Sequence, residues 1–414
     1  HINGSVYNTT DVTRDSSAGE SAHAKILIEK SGENEGGLLI TESTTNESLL
    51  FHGFDTTQPA QGNSRDTIEF GETGAVIRTQ STQAEADPIV VKQDARAGFS
   101  GMGGFTKEGN GTLILTAHNT FTGDLSVKEG TLQVGDGGAI GTTTLSGSET
   151  ATLNIAEGAN VAVNFAQDEV YTVTRSLSGE GNFVQEGANT TIINKKQHYT
   201  GQTLLHDGEV KLTIANALED GSTVVLGDTT GSGTLNVAYD NDPNMSDNDK
   251  VIKFNISGSG NFVKSGSGKA ILAASYTDAQ GQEQALSYSV DGDVAVKGGT
   301  LEVGLGARPQ SARRILIGAE KTNGEAILQL TGDAAPGGET IVGYEAQQGS
   351  TNRIWVNGSQ YTTGDLKRDA NTVNTSSAQL LIESYTDANN VFHQGRVVLT
   401  QTGTLFEGFN TAKP

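Results

Sequence analysis

Cysteine is absent from all 414 residues. That excludes disulfide staples, a thiol nucleophile and every cysteine-built metal site. A chain without thiols suits passage through an oxidising compartment while unfolded, and equally a regular fold that needs no staples. Proline occurs only 6 times, tryptophan once, and aromatic residues make up 6%. So few large rings leave a core that must be narrow and aliphatic. No run of 18 apolar residues occurs, which excludes a membrane-spanning helix, and no leader peptide is apparent at the first residues, so the sequence reads as a mature or excised fragment. Positive charge is also scarce: 27 Lys and Arg face 49 Asp and Glu, a net charge of −22. Nucleic acid and anionic lipid are repelled by such a surface, because phosphate binding depends on Lys and Arg displacing counterions.

Glycine, in contrast, is abundant at 54 residues, and it falls into a repeat. Phe105-Thr106-Lys107-Glu108-Gly109 returns as Phe183-Val184-Gln185-Glu186-Gly187 and again as Phe262-Val263-Lys264-Ser265-Gly266, at spacings of 78 and 79 residues. A shorter interval lies inside each copy. Leu113 and Leu115 are followed 19 residues later by Leu132 and Val134, and Thr191 and Ile193 by Val210 and Leu212. Ala270 and Leu272 correspond to Leu301 and Val303 at a spacing of 31, which is 19 plus a 12-residue insertion around Ser275 to Asp291. A fixed short period marks a solenoid, whose repeats bury their apolar faces only by stacking.

The apolar triplets say which solenoid. Leu113-Ile114-Leu115, Leu132-Gln133-Val134, Leu153-Asn154-Ile155, Leu235-Asn236-Val237, Leu301-Glu302-Val303 and Leu328-Gln329-Leu330 alternate inward and outward, as short half-buried strands do. Glycine and Asn/Asp pairs punctuate them, and no segment sustains a 3.6-residue period. Because about 19 residues bring the chain back to an equivalent position, the strands are expected to stack in parallel. The fold expected is all-β, a right-handed parallel β-helix. The insertion should protrude from it as a long turn.

One block carries a family resemblance. Gly104-Phe105-Thr106-Lys107-Glu108-Gly109-Asn110-Gly111-Thr112-Leu113-Ile114-Leu115, then Phe121-Thr122-Gly123, then Gly130-Thr131-Leu132-Gln133-Val134-Gly135 resembles the passenger-associated repeat of bacterial autotransporters. Gly298-Gly299-Thr300-Leu301-Glu302-Val303-Gly304 fits the same pattern; the middle copy departs at Asn189-Thr190-Thr191 but keeps Tyr199-Thr200-Gly201. The resemblance implies a type V secreted protein of a Gram-negative bacterium, at the cell surface or released, attached to the outer membrane only through a C-terminal barrel that this sequence does not contain. Three segments are expected: N-terminal rungs over 1–98, the repeat-bearing helix over 99–345, and C-terminal rungs or a cap over 346–414.

Catalytic signatures are missing. Neither Gly-Asp-Ser-Gly nor Gly-x-Ser-x-Gly occurs, and the seven histidines stand singly, without metal-ligand spacing. The carboxylate-rich stretch from Asp240 to Asp249 matches no calcium loop and reads as a solvated turn. No cofactor or metal is expected. Two features suit binding. Arg308, Arg313 and Arg314 cluster without an acid among them, and guanidinium forks suit the sulfate or carboxylate of a glycosaminoglycan; the alternative is charge balance against acidic rungs. The outward triplet positions Gln133, Asn154, Asn236, Glu302 and Gln329 would form ladders able to bind sugar hydroxyls or a second copy. The expected function is therefore non-enzymatic: an adhesin that binds host glycan or matrix protein, or self-associates in aggregates and biofilm. The alternatives are a stalk for a catalytic head elsewhere, or a polysaccharide-active β-helix enzyme.

Overall fold

In the computed structural model, residues 1–10, 12–13, 24–41, 48–52, 66–80, 88–141, 143–145, 151–228, 231–307, 309, 312–335, 338–371 and 375–400 are described. Strands of two to seven residues make up the regular structure, and a single 3₁₀ turn at Asn248–Lys250 is the helical element among the described residues. The chain forms two compact units, one of residues 1–191 with 197–202 and one of 192–196 with 203–414.

Within the first unit, strands come round in turn to three parallel stacks. One of them runs Val6–Thr9, Gly37–Ile40, Ala75–Thr79, Phe105–Glu108, Leu125–Val127, Thr152–Ile155, Ser176–Gly179 and His198–Tyr199. The 19-residue period is the rung: Leu113 is registered with Leu132 and Leu115 with Val134. All four are buried, along with Val127, Leu153 and Ile155. Phe70, Phe99, Phe105 and Phe121 gather in the interior with ring centroids 5.1 to 5.6 Å apart. The Phe-Thr-Gly signature has a steric cause. A Cβ on Gly123 would sit 2.2 Å from the Gly104 nitrogen, and one on Gly104 would sit 1.6 Å from the Asp124 oxygen, so the turn closes only with glycine on both sides.

The second unit repeats the plan. Its longest stack holds Glu209–Leu212, Thr234–Ala238, Asn261–Ser265, Asp293–Val296, Arg314–Ile317, Glu339–Val342 and Asp365–Arg368, all parallel. A neighbouring stack registers Ala270 with Leu301 and Leu272 with Val303, so the 31-residue interval is also one rung. The insertion is taken up outside the rung. Ser275–Thr277 pairs antiparallel with Glu283–Ala285 in an exposed hairpin, and the chain then re-enters at Tyr288–Val290, parallel to Asn255–Gly258. Asp278 organises the hairpin turn, its carboxylate accepting from the Gln280 and Gln282 amides and from Gln284 Nε2. Parallel strands stacked in this order, with an apolar interior of aliphatic and aromatic side chains in each unit, make the fold a parallel β-helix.

Candidate functional site

Inward positions on the long stack of the second unit are filled as expected by Leu235, Phe262, Ile315 and Leu366. The outward positions of four successive strands are not polar. Val263 is registered with Ala295, Ala295 with Leu316, and Leu316 with Ile341. They form a second, outer apolar cluster: Val263, Ala295 and Leu316 are 6 to 8% exposed, with Ile341 and Tyr344 packed against them. Alternation alone would give this face to water; instead it is the floor of a groove of about 620 Å³.

One rim of that groove is a charged triad. Asp293 precedes the floor residue Ala295 by two positions and so points to the same outer side. Arg313 donates to it through Nε and Nη2 at 3.0 Å each. Arg314 does the same from its own Nε, at 3.1 Å, and Nη2. Both guanidinium groups therefore engage one carboxylate edge-on, and each keeps its Nη1 group turned away from it. Burial alone would push Asp293 up, but the bonds and charge of Arg314 and Arg313 outweigh it and hold the carboxyl below its usual range. The hydrogen bonds to Asp293 likewise raise both arginines above their usual value. Lys297, Glu320, Tyr344 and Gln347 also line the groove, with the Tyr344 phenol close enough to Arg314 for each to affect the other's ionisation. Glu345 beside Tyr344 raises its phenol.

Of the described sequence-derived candidates, Arg313, Arg314 and Asn236 come together on the groove, Asn236 being registered with Val263, and the others lie elsewhere. Arg313 and Arg314 stand together at the rim; Arg308 lies outside the described residues. The arginines are not a bare anion site, since Asp293 from the preceding rung neutralises one of the two charges. The expected amide ladders do not form as one surface. Gln133 is registered between Ile114 and Ala162, and Asn154 between Ser126 and Ser178 on another stack. Glu302 and Gln329 do share a row, followed by Trp355. Their polar atoms are largely committed within the protein. Gln133 Nε2 donates to the Gly135 carbonyl at 2.8 Å, and Glu302 pairs with Lys269 and accepts from Thr331. Asn236 is not free either: it is 7% exposed, donates to Glu209 and accepts from Ser265. Neighbouring outward side chains satisfy one another because strands lie only about 4.8 Å apart.

The carboxylates of the 240–249 loop are occupied locally as well. Asp240 accepts from the Ser267 amide and hydroxyl, Asp249 from Ser246 and Asn216, and Asp247 pairs with Lys250. Among the described residues, no group of three His, Cys, Asp or Glu could hold a metal ion.

Pattern reading missed two things. The first is the groove floor, although a signal existed: Val294-Ala295-Val296 and Ile315-Leu316-Ile317 are triplets whose middle residue is also apolar. The second is the lysine of the repeat. Lys107 stands in an inner row between Ile77 and Val127, and Lys264 between Val237 and Val296. Both are fully buried. Lys107 Nζ donates to the carbonyls of Gly109 at 2.7 Å, Glu129 at 2.9 Å and Glu108 at 3.2 Å. Lys264 repeats this on Ser265, Gly266 and Gly298. Each ammonium thus caps the turn of its own rung and the turn of the next. Burial lowers both to about 8, against the partial support of nearby acids. In the middle copy Gln185 replaces the lysine, and its Nε2 caps Gly187 and Asn189.

Comparison with known proteins converges on one group. Residues 105–134, the first of the three copies, match the passenger-associated-transport-repeat family. The chain is similar to the Adhesin BmaC autotransporter of Brucella suis biovar 1 (strain 1330), at 28% identity over 304 residues. That alignment covers 66% of this chain and 8% of the relative, so the chain spans a small part of the length of the protein it matches. No solved structure matches it. The repeat and the aligned relative together support an autotransporter passenger.

Proposed function

We propose that this stretch of autotransporter passenger, displayed at the bacterial surface or secreted, is a non-enzymatic adhesive module, and that the outer groove of its second unit makes the contact. The observation that carries the reading is the apolar floor of Val263, Ala295 and Leu316, set on the outside of a strand stack where solvent would select polar residues. An apolar patch rimmed by charge is the usual mark of a binding surface. The name of the similar Brucella protein, an adhesin, agrees with it.

A polysaccharide-cleaving reading fits less well. Lyase or hydrolase chemistry in the groove would need a group ready to take or give a proton near neutrality. Asp293, the most enclosed carboxylate of the groove, has both oxygens engaged by two arginines and is not free to exchange a proton with a substrate. Purified protein should therefore bind host-cell layers or matrix-coated surfaces saturably. Replacing Ala295 and Leu316 by Glu should abolish that binding; because both side chains are buried in the outer cluster the melt will also fall, so binding is compared below the transition on protein that keeps its strand signal in circular dichroism. No shortening of acidic polysaccharides should be detected on prolonged incubation. Unchanged adhesion by the doubly substituted protein would place the contact elsewhere, and turnover of any glycan would overturn the non-enzymatic reading.

A further inference from the structure

We infer that the interior of the second unit holds a binding site for a small, uncharged, hydrocarbon-like molecule of a few carbon atoms. The site is separate from the outer groove and does not depend on the adhesive reading. It is a cavity of about 50 Å³ among inward side chains, with Phe262, Val294 and Ile315 on one wall and Leu301 and Leu328 on another.

The space exists because the remaining wall changes character. Its stack of parallel strands ends at Tyr288–Val290. Beyond that strand Pro309, Ala312 and Ala334 close the side of the cavity, and Ala334 makes an isolated bridge to Tyr361. Regular pairing resumes only where Gln360–Thr363 meets Arg396–Leu399. Alanine and proline reach less far inward than the Leu, Ile and Val of a strand row, so the side chains facing them are short of partners. Val294 records the shortage. It is registered between Phe262 and Ile315, both buried, yet is itself only half-buried.

The lining decides the chemistry of the ligand. Apart from two tyrosines, the described side chains around the cavity are hydrocarbon throughout. Both tyrosine hydroxyls are already engaged: Tyr288 reaches the Ile252 and Ala273 carbonyls at 3.0 and 2.9 Å, and Tyr361 shares a 2.6 Å hydrogen bond with Thr340. Among the described residues, no buried side-chain polar atom left without a partner belongs to this lining. One water needs roughly 10–15 Å³ and two to four polar partners; the room is there and the partners are not. An apolar molecule supplies the dispersion contacts that the walls lack. A charged or hydroxyl-rich one would give up its hydration and gain no hydrogen bond in return.

The test uses the full chain, with xenon as the probe and methyl NMR as the readout. Under xenon pressure the signals of Val294, Leu301 and Leu328 should shift saturably, while those of Leu113 and Leu115 in the first unit stay in place. Isobutane should displace the xenon, and glycerol in large excess should not. Ala312→Val and, separately, Ala334→Val carry a branched side chain to the cavity wall, and each should cut the xenon-induced shifts at least threefold. Absence of a shift at Leu301, a shift as large at Leu113, or displacement by glycerol overturns the inference. So does an undiminished xenon response in both variants when each keeps its strand signal in circular dichroism. If neither variant folds, the site-resolved shifts and the isobutane competition in the parent protein decide.

Discussion

At Lys107 and Lys264 the repeat places a cation in a row that is aliphatic on both sides, and its reason is backbone chemistry. Turn carbonyls at the ends of adjacent rungs converge on one interior point, and an ammonium can satisfy three of them at once. The charge is costly there. Burial lowers each group to about 8 from an ordinary 10.5. Between those values the unfolded chain binds more protons than the folded one, so stability rises with pH across roughly 8 to 10. A tenfold loss of proton affinity is worth about 1.4 kcal/mol, so the relief per lysine is on the order of a few kcal/mol. Above that window the buried tyrosines work in reverse: Tyr171 and Tyr361 are raised to about 12 by burial, and their folded forms resist ionisation. The melting temperature should therefore climb from pH 7.5 to about 9.5. Lys107→Gln with Lys264→Gln, which copies the Gln185 arrangement, should flatten that climb and cost little at pH 7.5. A double variant that melts far lower, with the same pH slope as before, would show that the lysines are bound in another way.

At the level of strands and turns, most of the fold was legible because rungs superimpose at a fixed interval. The 19-residue spacing is the register of Leu113 with Leu132, and the 31-residue spacing is the same register with a hairpin inserted. Inward positions followed directly from alternation. Outward positions did not, because alternation says which side a residue faces and nothing about what lies over it. Asn236 faces out and is nonetheless covered by Glu209 and Ser265. Arg313 and Arg314 look unopposed in sequence because their acid, Asp293, comes from the previous rung, 20 and 21 residues away. The hairpin makes a separate prediction. Tyr276 lies over Gly221, whose Cβ position is 2.2 Å from the ring, but the tip beyond it touches little. Deleting residues 277–284 should leave a cooperative melt within a few degrees of the parent. A loss of strand signal in circular dichroism would mean that the tip belongs to the core.

Across the whole molecule, an acidic surface of −22 keeps strand edges and neighbouring copies apart. Against that background a locally balanced groove with an apolar floor is the place where contact costs least. The claim that adhesion runs through this groove is most directly tested by hydroxyl-radical footprinting of the protein alone and bound to host-cell surface material. The account predicts that protection on binding concentrates at the partly exposed Ile341 and Tyr344, with the exposed tyrosine of the first unit, Tyr7, unchanged. Protection centred elsewhere, with Ile341 and Tyr344 oxidised as fast as in the free protein, would contradict it.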